Sequence, residues 1–168
     1  PPPANSVNMN NYDYLASQPD NFGELIKVID RTSLVDSIKR DDVTFFALQN
    51  ESILTYLGSQ DYTSVEDAPV DSLSKLLLKY VIDGKMLRSD FNTGLGDDFE
   101  TPSTKLMNVK IVVGEYKGVQ NVGAYNIVYS DTELAAGLRA LKLSTLPAEA
   151  LVTTGDIQTT NGVIHIIE

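Results

Sequence analysis

Apolar residues recur with a helical period through the first half of the chain. The clearest stripe occupies positions i, i+3, i+4 and i+7 and consists of Phe22, Leu25, Ile26 and Ile29. Asn21 and Glu24 predict a capping box at the start of this helix. Similar patterns predict four more helices, over residues 12–17, 32–39, 50–58 and 69–80.

The period becomes strand-like in the second half. Runs rich in β-branched and aromatic residues, separated by turns that contain Gly, predict strands at 105–113, 122–129, 151–153 and 163–167. Two further strands, at 43–48 and 80–82, lie among the helices, and the turn Asp83-Gly84 ends the second of them. One helix interrupts the later strands, with Asp131 as its cap and a stripe of Leu134, Leu138 and Leu141. Helices in one half and strands in the other predict an α+β fold.

The last predicted strand is apolar on both faces. Asn161-Gly162 is a strong turn dipeptide, because both residue types reach positive φ at low cost. Alternation then places His165, the chain's only histidine, on the same face as Val163 and Ile167. We therefore expect this strand to be buried on both sides.

Composition narrows the classes of partner. The net charge of −10 and the pI near 4.4 argue against nucleic acid and against docking on anionic lipid by charge. The absence of cysteine excludes disulfides, thiolate metal sites and cysteine nucleophiles.

The 168 residues fit one domain. Residues 1–11, rich in Pro and Asn, are predicted to be a flexible linker, and residues 12–168 a single domain. No apolar run approaches the ~18 residues of a membrane span. The chain starts at Pro1 without Met, so we expect membrane attachment only through a lipid anchor on a removed upstream segment.

Two segments of the sequence resemble the boxes of the fasciclin-like adhesion domains. Residues 44–53 are similar to the first box, T-V-F-A-P-T-N-x-A-F, at Thr44, Phe46, Ala47 and Asn50, although Leu48 replaces the usual proline. Residues 161–168 are similar to the second box, N-G-V-I-H-V-I-D, at Asn161, Gly162 and His165.

This resemblance implies a wedge of twisted β-strands packed with several helices. It also implies an extracellular, cell-surface or lipid-anchored protein with an adhesion or matrix role and no catalysis. Lys79 and Tyr80 stand where members often carry a Tyr-His pair implicated in integrin recognition, so integrin-type binding is not expected. The missing pair and the long strand-rich segment favour a bacterial surface or lipoprotein-type member.

His165 is the first candidate for chemistry. A catalytic histidine needs a hydroxyl or carboxylate within hydrogen-bond reach and an open cleft. A histidine within an apolar strand is more simply a buried neutral ring. We favour the second interpretation, with a hydrogen bond to Thr44 or Asn50 of the first box.

The acidic stretch 90–100 is the second candidate. Its oxygen-bearing side chains could hold calcium: Asp90, Asn92, Asp97, Asp98 and Glu100. Its start imitates an EF-hand loop, but Leu95 stands where that loop needs glycine and Thr101 where it needs glutamate. A solvated loop is the favoured interpretation.

Two weaker signals remain. Asn50-Glu51-Ser52 matches the N-glycosylation pattern, although a helix-capping role for Asn50 is favoured at this position. Planar rings in the strand-rich half could stack on sugars or proteins, although packing within the sheet is the simpler role; they are Tyr116, Tyr125 and Tyr129.

No nucleotide-binding loop, nucleophile elbow or zinc-protease motif is present. We therefore expect a non-catalytic domain without a cofactor, which binds an unidentified protein or glycan through residues 90–150. Two alternatives stay open: a glycan-processing accessory protein or enzyme that uses acidic residues, and a structural spacer within a longer lipoprotein.

Overall fold

The computed structural model describes residues 6–92, 97–103, 106–116, 119–131 and 149–167. Within these ranges the helices all precede the long strands: α1 (Asn11–Ala16), α2 (Pro19–Thr32), α3 (Val35–Lys39), α4 (Asn50–Ser59) and α5 (Val70–Leu78). The strands are β1 (Val43–Leu48), β2 (Val81–Asp83), β3 (Asp97–Glu100), β4 (Leu106–Tyr116), β5 (Val119–Asp131), β6 (Glu149–Gln158) and β7 (Gly162–Ile167). The α+β class is confirmed.

The strands form one twisted sheet in the order β2-β1-β7-β6-β5-β4-β3. The pair β1–β7 is parallel, and the other neighbouring strands are antiparallel. The last strand of the described chain thus lies inside the sheet, between the first strand and β6. This position explains why β7 is apolar on both faces.

The two faces of β7 meet different parts of the chain. A Cβ added to Gly162 would lie 3.1 Å from the side-chain nitrogen of Asn11, so this face is covered by α1. Alternation puts His165 on the opposite face, where its ring meets Phe46 and Phe91. Both faces are buried, as predicted.

Several helix boundaries differ from the sequence-based ones. Helix α2 begins at Pro19, so Asn21 lies within its first turn and the predicted capping box with Glu24 is wrong. The fixed φ of proline suits the first helical position and sets this earlier start. Helix α4 continues through Gly58 to Ser59, so Gly58 does not end it.

The strands are longer than their apolar runs. Strand β6 extends over polar residues on both sides of the predicted 151–153, because pairing with neighbouring strands orders them. Strand β3 arises within the acidic stretch that was predicted to be a loop. The predicted turn at Gly84 is confirmed by its φ of +91°.

Residues 6–10 run alongside β6 and β7. Ser6 bridges to Gln158, the Val7 N–H donates to the Gln158 carbonyl at 2.8 Å, and Met9 accepts from Thr160 at 2.9 Å. This part of the predicted linker is therefore attached to the sheet, in contrast with the flexibility expected for it. The division into residues 1–11 and 12–168 is otherwise a prediction.

Two expectations fall where the structure gives no side-chain description. The predicted helix with Leu134, Leu138 and Leu141 lies outside the described residues. The side chains of Tyr116, Tyr125 and Tyr129 also lie outside them, although their backbone belongs to β4 and β5.

Candidate functional site

The parallel pair β1–β7 places the two sequence boxes side by side. Its register pairs Thr44 with Val163 and Phe46 with His165. The Phe46 and His165 rings lie 5.3 Å apart between centroids, and Phe91 approaches His165 at 5.9 Å. The boxes therefore meet in the most buried part of the sheet.

His165 is fully buried, and both of its ring nitrogens are engaged. Nδ1 accepts a hydrogen bond from the Asp156 N–H at 3.1 Å, which leaves the ring hydrogen on Nε2. Nε2 donates to the Met86 carbonyl at 2.8 Å. A ring enclosed in this way has no nitrogen available to an external substrate.

Burial also sets the protonation state of His165. Loss of solvation lowers its pKa below the ordinary 6.5, although the Met86 carbonyl and the Asp156 carboxylate act in the opposite direction. The Asp156 carboxylate lies 4.0 Å from Nδ1 and accepts a hydrogen bond from the Arg88 N–H at 2.6 Å. The neutral ring is therefore the form that fits this environment.

A β-bulge in β6 creates the donor to His165. Thr154 pairs with Ile166 and Ile157 with Ile164, so Gly155 and Asp156 together oppose His165. Asp156 has a φ of +59°, and a Cβ on Gly155 would meet Nδ1 at 2.9 Å. The Gly155-Asp156 pair, between Thr154 and Ile157, is the sequence signal for this bulge, which sequence reasoning missed.

The predicted bond from His165 to Thr44 or Asn50 is wrong. Thr44 donates to the Gly84 carbonyl at 2.5 Å and accepts from the Met86 N–H at 2.8 Å. His165 and Thr44 therefore form hydrogen bonds with the backbone of the segment that follows β2 and not with each other. Both side chains lie on the face of the sheet that this segment covers. Besides the direct pairing of β1 with β7, the two boxes are thus linked through the backbone of Met86.

Asn50 does not cap α4, where Gln49 occupies the cap position. Its side chain instead accepts from the Glu24 N–H at 2.9 Å and donates to the carbonyls of Pro19 and Asp20 at 3.3 and 3.0 Å. Asn50 thus satisfies backbone groups at the start of α2. Its amide nitrogen is engaged by two carbonyls, which supports a structural role over glycosylation.

Neither Asn161 nor Gly162 adopts a positive φ, in contrast with the turn expected for this dipeptide. Contacts with neighbouring elements explain these two residue types instead. The Asn161 side chain accepts from the Asn11 N–H at 2.7 Å and donates to the carbonyls of Ile38 and Arg40 at 3.0 and 2.7 Å. A Cβ on Gly162 would lie 1.9 Å from the Val43 carbonyl oxygen. The second box therefore connects α1, α3 and β1 to the start of β7. Ala47 of the first box is buried in the neighbouring strand β1.

The acidic stretch is divided among separate contacts. Asp90 accepts from the Leu87 N–H at 2.9 Å, Asp97 from Asn92 at 2.6 Å, and Asp98 from Asn108 at 2.9 Å. Glu100 ends β3, with an exposed side chain. Within the described ranges, no group of three or more His, Asp or Glu side chains is placed to hold a metal ion.

A polar groove of about 500 Å³ opens between the start of α4 and β6. Its described lining consists of Gln49, Glu51, Ser52, Thr55 and Thr153. These residues come from the cap position that follows β1, from the first two turns of α4 and from a distant strand, so no local sequence motif marks them. Sequence reasoning missed this groove.

A family model described as the Fasciclin domain matches residues 20–168. Among solved structures, the chain is similar to a FAS1 domain pair from the insect cell adhesion molecule fasciclin I, with 14% identity and a TM-score of 0.52. The match covers 95% of this chain and 44% of that one, and at this identity it shows the fold alone. No curated protein sequence matches the chain significantly.

Proposed function

Because the chain belongs to the Fasciclin domain family, which is known in adhesion-type proteins and is generally non-enzymatic, we propose that it is a binding module for adhesion at a cell surface. The observation that carries this proposal is the family match over residues 20–168. Its partner is a protein or glycan of a matrix, a neighbouring cell or a surface complex, and its mechanism is non-covalent recognition on a rigid fold.

The enclosure of His165 supports a role without turnover. A general base must reach the proton that it removes, and both nitrogens of this ring are engaged by the backbone groups of Asp156 and Met86. The family boxes around it, including Thr44, Asn50 and Asn161, are likewise occupied by structural hydrogen bonds. Recognition is therefore assigned to the surface of the domain.

The location is part of the same proposal. Fasciclin domains are typically extracellular or at the cell surface, and we assign this chain there, held by a lipid anchor on an upstream segment of a bacterial-type lipoprotein. None of the described helices has the length and apolar character to cross a membrane. The net charge of −10 favours neutral or cationic partner surfaces.

Adhesion is tested with beads that carry the purified chain, applied to arrays of matrix proteins and glycans and to whole cells. We expect beads with folded protein to be retained on at least one surface and beads with heat-unfolded protein to wash off. New reducing ends released from a glycan surface would identify an enzyme instead. Retention equal to that of uncoated beads on every surface would identify a spacer.

A further inference from the structure

We propose that the polar groove between α4 and β6 is the recognition site of this module and that it binds a neutral sugar residue of a glycan. This inference rests on the adhesion function proposed above and names its ligand class. It places the site at residues 49–55 and 153, outside the acidic stretch, where the first box passes from the buried strand β1 to the exposed side of α4.

Three side chains of the groove are available to a ligand. Glu51, Ser52 and Thr55 lie on one side of the first turns of α4, and none of them forms a side-chain hydrogen bond with another described residue. Glu51 and Thr55 are exposed and Ser52 is half-buried. A ligand can therefore take up their hydrogen-bonding capacity without displacing a protein contact.

The opposite wall is set by Gln49 and Thr153. The Thr153 hydroxyl donates to the Ile166 carbonyl at 3.3 Å, and the Gln49 amide approaches the same hydroxyl at 3.5 Å. Gln49 directly follows the buried strand β1, and Thr153 belongs to β6. Both walls thus stand on regular elements, which reduces the ordering cost of binding.

The chemistry of the lining suits a sugar. Hydroxyl and amide groups donate and accept, and a carboxylate offers two acceptor oxygens, which matches neighbouring hydroxyls that each donate and accept. The volume of about 500 Å³ lies within the ~300–1,000 Å³ of small-ligand pockets and suits a mono- or disaccharide.

Charge and polarity select among ligands. The Glu51 carboxylate and the net charge of −10 disfavour uronic acids and sulfated sugars. The described lining has no apolar or aromatic side chain to anchor a hydrophobic peptide residue. A neutral glycan therefore fits better than an acidic glycan or an apolar peptide.

The test is saturation-transfer NMR on the intact chain with methyl glycosides of glucose, galactose and mannose, and with glucuronic acid. We expect at least one neutral glycoside to give ligand signals and glucuronic acid to give none. Glu51→Gln and Thr55→Val, which preserve side-chain shape, should each weaken binding at least about tenfold. Glu66→Gln removes the same charge at an exposed position outside the groove and should bind like the parent chain.

Melting curves show that each variant is folded, and Ser52→Ala replaces any variant that is not. Unchanged sugar binding in the groove variants overturns the assignment of the site. The assignment of the ligand is overturned if glucuronic acid binds as well as the neutral glycosides. It is also overturned if the groove binds peptides but none of the glycosides. If beads carrying Glu51→Gln or Thr55→Val adhere like beads with the parent chain, the adhesion function stands and the groove proposal fails. If beads with the parent chain adhere to no surface, the proposed function itself fails.

Discussion

The backbone N–H of Asp156 donates to Nδ1 of His165 at 3.1 Å, across a bulge in the strand that pairs with β7. This bond fixes the tautomer, because a nitrogen that accepts cannot carry a hydrogen, and Nε2 is left to donate to Met86. The chain's only histidine is therefore a neutral connector between β7, β6 and the segment after β2. This role depends on two backbone groups, the N–H of Asp156 on one side of the ring and the carbonyl of Met86 on the other.

Replacing His165 by Phe should destabilise the fold. The substitution keeps a ring beside Phe46 but leaves the Asp156 N–H and the Met86 carbonyl without their partner. We expect the free energy of unfolding to fall by about 2–4 kcal/mol, the cost of two such groups. Urea unfolding at pH 7.5 measures this, with Ile166→Val on the same strand as a control that should cost about 1 kcal/mol. A midpoint equal to that of the parent chain would contradict the connector role.

His165 should also make stability depend on pH. Burial lowers its pKa below 6.5, so the unfolded chain takes up a proton as the pH falls below 6.5 while the folded ring stays neutral. The unfolded state then binds more protons, and the free energy of unfolding decreases with falling pH, by up to about 1.4 kcal/mol per unit. The contribution is fully present above pH 6.5.

Urea midpoints between pH 7.5 and pH 5 measure this slope. The variant His165→Gln should lose the part of the slope that histidine causes, whatever its absolute stability. The remaining slope then reports the carboxylates, which titrate mainly at lower pH. Parallel curves for the two proteins would show that His165 is not the group responsible.

Gly162 should tolerate no side chain. A Cβ at this position would lie 1.9 Å from the Val43 carbonyl oxygen, so Gly162→Ala would force β1 and β7 apart. We expect a loss of more than about 4 kcal/mol. Gly23→Ala is the matched control, because nothing lies within 4 Å of its added Cβ inside α2, and it should stabilise by about 0.5–1 kcal/mol. Thermal melting of both variants decides, and similar melting temperatures would be inconsistent with this packing.

Asn50 should stabilise α2 rather than its own helix. Asn50→Ala removes the acceptor for the Glu24 N–H and the donor to the carbonyls of Pro19 and Asp20. We expect a cost of about 1–2 kcal/mol in denaturant unfolding. Asn50→Asp keeps only the acceptor, so its free energy of unfolding should lie between those of the parent chain and Asn50→Ala. If hydrogen exchange in α2 were unchanged in Asn50→Ala, the contact would carry no stability.

The fold could be predicted from the sequence where a pattern is local. The run after Gly162 is apolar on both faces, and this property follows directly from its position inside the sheet. The acidic stretch misled because Phe99 alone marks it as part of a strand, whereas pairing with β4 orders the polar residues around it. Strand ends of this kind are set by neighbours rather than by composition.

The site was harder to predict because its partners are distant or are backbone groups. His165 binds the carbonyl of Met86 and the N–H of Asp156, and backbone groups of this kind leave no trace in residue type. Asn50 was assigned to its own helix because capping rules look along the chain, whereas its partners precede it by some thirty positions. Sequence reasoning placed the binding surface at residues 90–150, whereas the proposed groove brings together Gln49 and Thr153, which are 104 positions apart.

The place of β7 between β1 and β6 has a consequence for how the protein reaches its fold. A growing chain presents the edge of β1 long before residue 162 is made, so the central ladder closes only by contacts of high sequence separation. Such topologies fold on the slower millisecond-to-second scale. Until β7 is in place, two strands with apolar side chains have open edges, which is the state in which such chains aggregate. The segment that completes the sheet is thus also the one that ends its exposure to misassembly.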